Sequence, residues 1–259
     1  MAQDIFLPNL LYFLIFLIPI FFIMKYLEIN MITKVIKSIS RMFIQLLLVG
    51  IYLKYILTLN NTWINIIYLG FMTSACAFTV TRDVKIKDLK FFFMVFISAL
   101  VPLLINMFIF SELLLNLKDP FDAVYLIPIS GMILGNTLNG MIVAINDFFN
   151  SMNANGESYL LSLSFGATKL EALKPFIAQS VTLAFKPSVA TMANVGIVSL
   201  PGMMTGQILG GSLPDVAIKY QIAIMIALFI TRFLSSFTLL YFCIVHFFDK
   251  YSICKIKVK

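Results

Sequence analysis

Apolar residues gather in seven runs along the chain, with short polar stretches between them. The runs lie near Ile5–Met24, Met42–Leu59, Trp63–Val80, Phe91–Phe110, Ala123–Ile145, Pro187–Leu209 and Ala217–Phe242. Each is close to the length, about 17 to 25 residues, that a helix needs to cross the hydrocarbon of a bilayer. The pattern predicts an all-α, polytopic membrane protein of about seven transmembrane helices. No repeat, low-complexity tract or flexible linker divides residues 1–259, so one transmembrane domain is expected. No basic stretch precedes the first run, which has the length of a full span rather than of a cleaved leader.

The sixth run is interrupted. Gly196 to Gly211 reads GIVSLPGMMTGQILGG, with Pro201-Gly202 inside an apolar stretch. Proline removes a backbone donor and clashes with the preceding turn. In hydrocarbon every backbone polar group must find a partner, so a break survives only inside protein or beside a watery cavity. One reading is a broken helix where something binds or passes; the other is a tolerated proline kink.

Composition agrees with the membrane reading: 61% of residues are hydrophobic and only 12% are charged, with a mean hydropathy of +0.98. Such a chain cannot clothe itself in polar surface. The net charge of +7 collects in loops rather than on a face that nucleic acid would meet, so no nucleic-acid partner is expected. Of the 19 basic residues, 15 fall on one side: Lys25, Lys34, Lys37, Arg41, Arg82, Lys85, Lys87, Lys90, Lys169, Lys174, Lys186, Lys250, Lys255, Lys257 and Lys259. Lys54, Lys118 and Lys219 fall on the other, and Arg232 lies within the last run. Positive loops stay cytoplasmic, which puts the N-terminus out and the C-terminus in. The three cysteines, Cys76, Cys243 and Cys254, have neither zinc nor disulfide spacing and read as packing thiols.

That orientation makes the wetter segment from about 147 to 186 cytosolic. Leu160, Leu161 and Leu163 precede Gly166-Ala167-Thr168, and Leu170 and Leu173 follow. Two short helices joined at a glycine are predicted, because glycine accepts the positive φ of a sharp helix end. An apolar-faced hairpin there either docks onto a partner or lies along the membrane surface.

Several blocks taken in order resemble a known family. RMFIQLLLVGIYLKYI (Arg41–Ile56), IPISGMILGN (Ile127–Asn136), SFGAT (Ser164–Thr168), GIVSLPGMMTG (Gly196–Gly206) and AIKYQI (Ala217–Ile222) are similar to the Fet-type permeases. That family is named after a bacterial iron exporter and has plant relatives linked to aluminium tolerance. The resemblance runs from the second span to the seventh; the first span and the lysine tail carry none of it. It implies a multi-pass permease of the cell (inner) membrane that exports iron or a related metal species. It further implies a separate ATP-binding subunit of an ABC transporter, which would carry ATP and magnesium, and a pair of permeases. The chain itself has no GxxxxGK[ST] loop to cradle phosphates. By the same resemblance Ser164, Gly166, Ala167 and Thr168 would contact the ATPase.

Polar residues in the spans are candidates for the translocation path. Gln45 lies in the second span, Asn136 and Asn139 in the fifth, and Gln207 just beyond the break at Pro201 and Gly202. Packing is the competing role for each, and for Gly131 and Gly135 a close helix contact is the favoured one. Met203 and Met204 offer thioethers, which suit soft metals more than iron and more commonly fill gaps. None of the twelve acidic residues lies deep in a span, so the residues themselves give bare iron no ligand set. Arg232 is an intramembrane charge and hence a functional candidate, although bonding to backbone carbonyls or reaching toward an interface would also explain it. His246 stands at the end of the last span, where it can favour the helix's negative end.

No nucleophile–His–acid set or paired carboxylate marks an enzyme. Two further classes remain open beside the ABC permease: a secondary transporter driven by an ion gradient, and a scaffold whose cytosolic loop recruits a partner. The gradient-driven class predicts inverted repeats and buried titratable groups.

Overall fold

The computed structural model describes residues 14–116 and 119–249, together with Phe6, Asn9 and Tyr12. Residues 5, 7, 8, 10, 11 and 13 of the expected first span, Lys118, Cys254 and the lysines at 250, 255, 257 and 259 lie outside the described residues.

Regular structure among the described residues is helical, apart from one isolated bridge between Val195 and Ser199. A 3-10 turn (Leu14–Phe16) leads into α1 (Leu17–Tyr26), followed by α2 (Ile32–Leu59), α3 (Thr62–Val84) and α4 (Leu89–Ile109). A wider π-helical turn (Phe110–Leu114) extends α4. Then come α5 (Ala123–Ala154), α6 (Gly156–Ser164), α7 (Lys169–Asn194), α8 (Gly202–Leu209) and α9 (Pro214–Phe247). Among the described residues five helices are long and apolar enough to cross a membrane: α2, α3, α4 with its extra turn, α5 and α9. They correspond to the second, third, fourth, fifth and seventh apolar runs. Leu14–Tyr26 forms a shorter apolar helix, and the sixth run is divided between α7 and α8.

Polar side chains set several boundaries. Asn61, Asp88 and Asp122 each stand at an N-cap and accept from a backbone N–H two residues on, those of Trp63, Lys90 and Val124. Such caps satisfy donors that the first helical turn leaves open. Asn60, at a left-handed φ of 36°, accepts from Asn65 Nδ2 and from the Ala123 N–H, joining the start of α3 to that of α5.

The core lies around α5 and α9. α3, α7 and α9 pack on α5, while α4, α7 and α8 pack on α9. Phe91, Leu103, Ile133, Met141, Phe148, Ile224 and Leu239 are fully buried there. Inside the bundle Asn106 Nδ2 donates to Thr231 Oγ1 at 2.6 Å, tying α4 to α9. α2 differs, since none of its residues is buried. A 2.7 Å hydrogen bond between the Tyr52 and Tyr68 hydroxyls links it to α3.

Two boundaries differ from the sequence reading. α7 is one helix of 26 residues that begins at Lys169, so the second arm of the hairpin is long, and Pro187, where the sixth run begins, lies inside that helix rather than at its start. Pro175 and Pro187 lie within it. The residues four earlier, Glu171 and Leu183, whose carbonyls lose an amide partner to these prolines, are both exposed. α5 continues to Ala154, past the expected end at Ile145, because its final turns pack Phe148, Phe149 and Met152 into the core.

Candidate functional site

The turn between α6 and α7 is built from two capping devices in immediate succession. The Ala167 N–H donates to Ser162 O at 3.1 Å and the Gly166 N–H to Leu163 O at 3.0 Å. Those two bonds, closed over a glycine at φ +89°, form a Schellman C-cap. Thr168 then opens α7. Its Oγ1 accepts from the Glu171 N–H at 3.4 Å, and Glu171 Oε2 accepts from the Thr168 N–H at 2.8 Å, a capping box. Thr168 also donates its hydroxyl to Glu171 Oε2 at 2.7 Å, and its side-chain and backbone bonds hold the Glu171 carboxyl below the ordinary carboxylate range. Ser164 closes the last turn of α6 by donating to Leu160 O.

The turn is anchored at one end and bare at the other. Lys169 Nζ donates to Ile244 O at 3.0 Å and sits 4.9 Å from the centre of the Phe248 ring. Its charge thus meets the carbonyl end of α9, where a cation is favoured. Burial there pushes the Lys169 ammonium below its usual pKa, against the opposing pull of Asp249. Nearby, His246 lies 3.3 Å from Asp88, the cap of α4. On the other side Leu160, Leu161, Phe165 and Leu170 are exposed, Phe165 by 83%.

The break in the sixth run occupies residues 195–201. α7 stops at Asn194, whose carbonyl accepts from the Ile197 and Val198 N–H groups, and Gly196 at φ +87° donates to Ser199 O at 3.0 Å. Pro201 is the N-cap of α8 and Gly202 its first residue. The Pro-Gly pair therefore starts the second half instead of interrupting the first, in keeping with proline's fitness for a helix start. α8 leans on α9 through Met204.

Two cavities adjoin the break and share Met192, Gln221 and Met225. The larger, ≈ 570 Å³, lies between α5, α7 and α9, and its lining includes Asn136, Asn139, Ser188, Thr191, Pro201 and Arg232. The smaller, ≈ 460 Å³, is mainly apolar and adds Val195, Gly196, Leu200, Met204, Ile218, Ile222 and Ile226. Arg232 stands near the middle of α9, 6% exposed, with Nη1 donating to Ser188 Oγ at 2.7 Å. Asn136 and Asn139 bond only the carbonyls of Met132 and Gly135, one turn back on their own helix, and both are exposed.

The expected path residues thus divide. Asn136, Pro201 and Met204 line these cavities. Met203, half-buried against the core, Gln207 and Gly202 stand on α8 outside both linings. The Gln207 Oε1 is buried without a hydrogen-bond partner. Gln45 is exposed on α2, away from both cavities. Gly131 has Met72 Cε 3.1 Å from where a Cβ would sit, a close α3–α5 approach, whereas Gly135 opens to the surface. Sequence reasoning did not single out Ser188, Thr191, Met192, Gln221 and Met225. Their signal is spacing: Gln221, Met225, Leu228 and Arg232 recur every three or four residues, as one face of a helix must.

Five crossing-length apolar helices among the described residues, two of which (α5 and α9) wall with α7 a cavity that carries amide, hydroxyl and guanidinium groups, define a multi-pass membrane protein. The chain belongs to the uncharacterised protein family UPF0014, whose model matches residues 7–248. It is 32% identical over 213 residues to the probable iron export permease protein FetB of Escherichia coli, covering 82% of this chain and 80% of that one. It is also 32% identical over 218 residues to the protein ALUMINUM SENSITIVE 3 of Arabidopsis thaliana, covering 84% and 78%. A UPF0014 membrane protein of Synechocystis is 30% identical over 197 residues, or 76% of each chain. No solved structure matches.

Proposed function

We propose that the chain is the membrane permease subunit of an ABC transporter, exporting iron or a related metal species with energy from a separate ATP-binding subunit. The observation that carries this reading is the α6–α7 turn. It is rigidly capped, fastened by Lys169 to the end of α9, and presents Leu160, Leu161, Phe165 and Leu170 to the outside. An apolar knuckle on a stiff, anchored hairpin suits transmission of movement from a docked partner into α7 and so to the cavity. The name of the Escherichia coli relative, a probable iron export permease, supplies the substrate class. In this reading the N-terminus faces out and the turn lies in the cytosol. Ser164, Gly166, Ala167 and Thr168 set the shape of the contact. Asn136, Pro201, Met204 and the cavity around them form the path.

The permease works as a pair. Asn136 and Asn139 expose amides near the middle of a crossing-length helix, where contact with lipid is unfavourable. A second copy across that face, or water in a path between copies, removes the conflict.

The test is the ATPase activity of the permease co-purified with its ATP-binding subunit in lipid, titrated with iron and other metals. Stimulation by iron, lost when Phe165→Asp disrupts the knuckle, is the expected result. A chain that binds no ATP-binding subunit would overturn the assignment.

A further inference from the structure

The larger cavity carries a positive charge and no negative one. Arg232 is 6% exposed near the midpoint of α9. Among the described residues no carboxylate lies within ion-pair distance of it, and its single hydrogen bond is the one to Ser188. The cavity lining contains amides, hydroxyls, thioethers and apolar groups, but neither aspartate nor glutamate. A guanidinium has five N–H donors and stays charged under all ordinary conditions. A buried charge of that kind is costly unless something compensates it.

The arginine is held deliberately. Gly140 on α5 faces its stem so closely that a Cβ there would lie 2.6 Å from Nε and 2.7 Å from Cγ. The missing side chain makes the notch in which the stem rests, and Ser188 on α7 fixes Nη1. Three helices therefore collaborate to set a cation, with donors to spare, in the wall of a cavity of ≈ 570 Å³. That volume falls in the range of pockets for small organic ligands.

We propose that this cavity receives its ligand as an anion, a carboxylate- or phosphate-bearing species held by the Arg232 guanidinium. A metal would accordingly cross as an anionic chelate rather than as a bare cation. Arg232 repels a naked divalent ion and the cavity offers it no carboxylate, whereas planar oxygen pairs match the guanidinium fork. The proposal rests on the permease reading above for its role in transport. Its test needs no ATPase, so failure of the coupling reading and failure of this one are seen separately.

The full chain is reconstituted in phosphatidylcholine nanodiscs, and equilibrium binding is measured for three probes: labelled citrate, labelled iron(III) citrate, and iron(II) alone under anaerobic conditions. Expected is saturable binding of the two anions, weakened about tenfold or more by Arg232→Gln, as loss of a charged hydrogen-bonding partner implies. Arg232→Lys should fall between, because it keeps the charge and loses the fork. Ser188→Ala should weaken anion binding by a smaller factor, and it provides the test if the Arg232→Gln protein does not fold. Iron(II) retention should not depend on Arg232. Absence of anion binding, or anion binding equal in wild type and Arg232→Gln, overturns the proposal. So does dissociation of a permease dimer by Arg232→Gln without any anion binding, which would assign the arginine to a carboxylate of a second copy. Displacement of citrate by phosphatidylglycerol in the wild type alone would assign the site to a lipid headgroup and overturn the substrate role.

Discussion

Replacing Gly166 by alanine should loosen the α6–α7 turn through the backbone alone. A Cβ at this position meets nothing within 4 Å beyond its chain neighbours, so crowding by surrounding residues contributes nothing. The φ of +89° is the whole difficulty, and holding an L-residue in left-handed conformation costs about 1–2 kcal/mol. That energy is charged against the closed turn and raises its open population by a factor of about 5–30. The amides of residues 166 and 167, bonded to Leu163 and Ser162, report on it directly. Their hydrogen exchange should accelerate by that factor in Gly166→Ala. It should accelerate less in Gly166→Asn, whose side chain tolerates positive φ, and more in the β-branched Gly166→Val. Equal exchange in all four proteins, or an asparagine variant looser than the alanine one, would refute the conformational explanation.

The capping box carries a pH dependence. Glu171 has its pKa lowered from the ordinary 4.5 by hydrogen bonds from the Thr168 side chain and backbone. A depressed folded pKa means that its stabilisation is fully present above 4.5 and is lost as pH falls through the lower folded value. Hydrogen exchange of the turn, corrected for intrinsic rates, should therefore rise on acidification in the wild type and stay flat in Glu171→Gln. Within the bundle, Asn106→Leu removes the donor to Thr231 and should lower stability by about 1–3 kcal/mol, read as an earlier unfolding transition. Adding Thr231→Val should restore part of that loss, because no polar group is then left without its partner.

Helices whose apolar stretch is continuous and about a bilayer long were legible in the sequence. α2, α3, α4, α5 and α9 each contain the expected run, and the polar caps at Asn61, Asp88 and Asp122 mark sharp starts for three of them. α7 was hidden because its first half carries Lys169, Glu171, Lys174 and Pro175. Hydropathy registers only the apolar half of a helix that leaves the bilayer. The turn at Gly166 was legible from one glycine between two leucine-bearing segments. Its stiffness depends on Ser162, Leu163 and Glu171 supplying the right partners, and is visible only in the hydrogen bonds.

The cavity was the least legible feature. Arg232 has a long stem that can turn toward lipid, a neighbouring helix or a cavity, and a single chain of letters does not say which. The notch at Gly140 decides it, 92 positions away in sequence. Gln45 illustrates the reverse case. It lies in a family-like block, yet it stands on α2, which has no buried residue.

The most direct test of the central claim is iron movement itself. Inside-out vesicles containing the chain and its ATP-binding subunit are given labelled iron, with citrate present and absent, and accumulation is followed with ATP and with an ionophore that collapses ion gradients. Expected is uptake that requires ATP, survives the ionophore and fails when the ATP-binding subunit cannot hydrolyse. Uptake that proceeds without ATP and stops with the ionophore would contradict the ABC reading and identify a gradient-driven transporter.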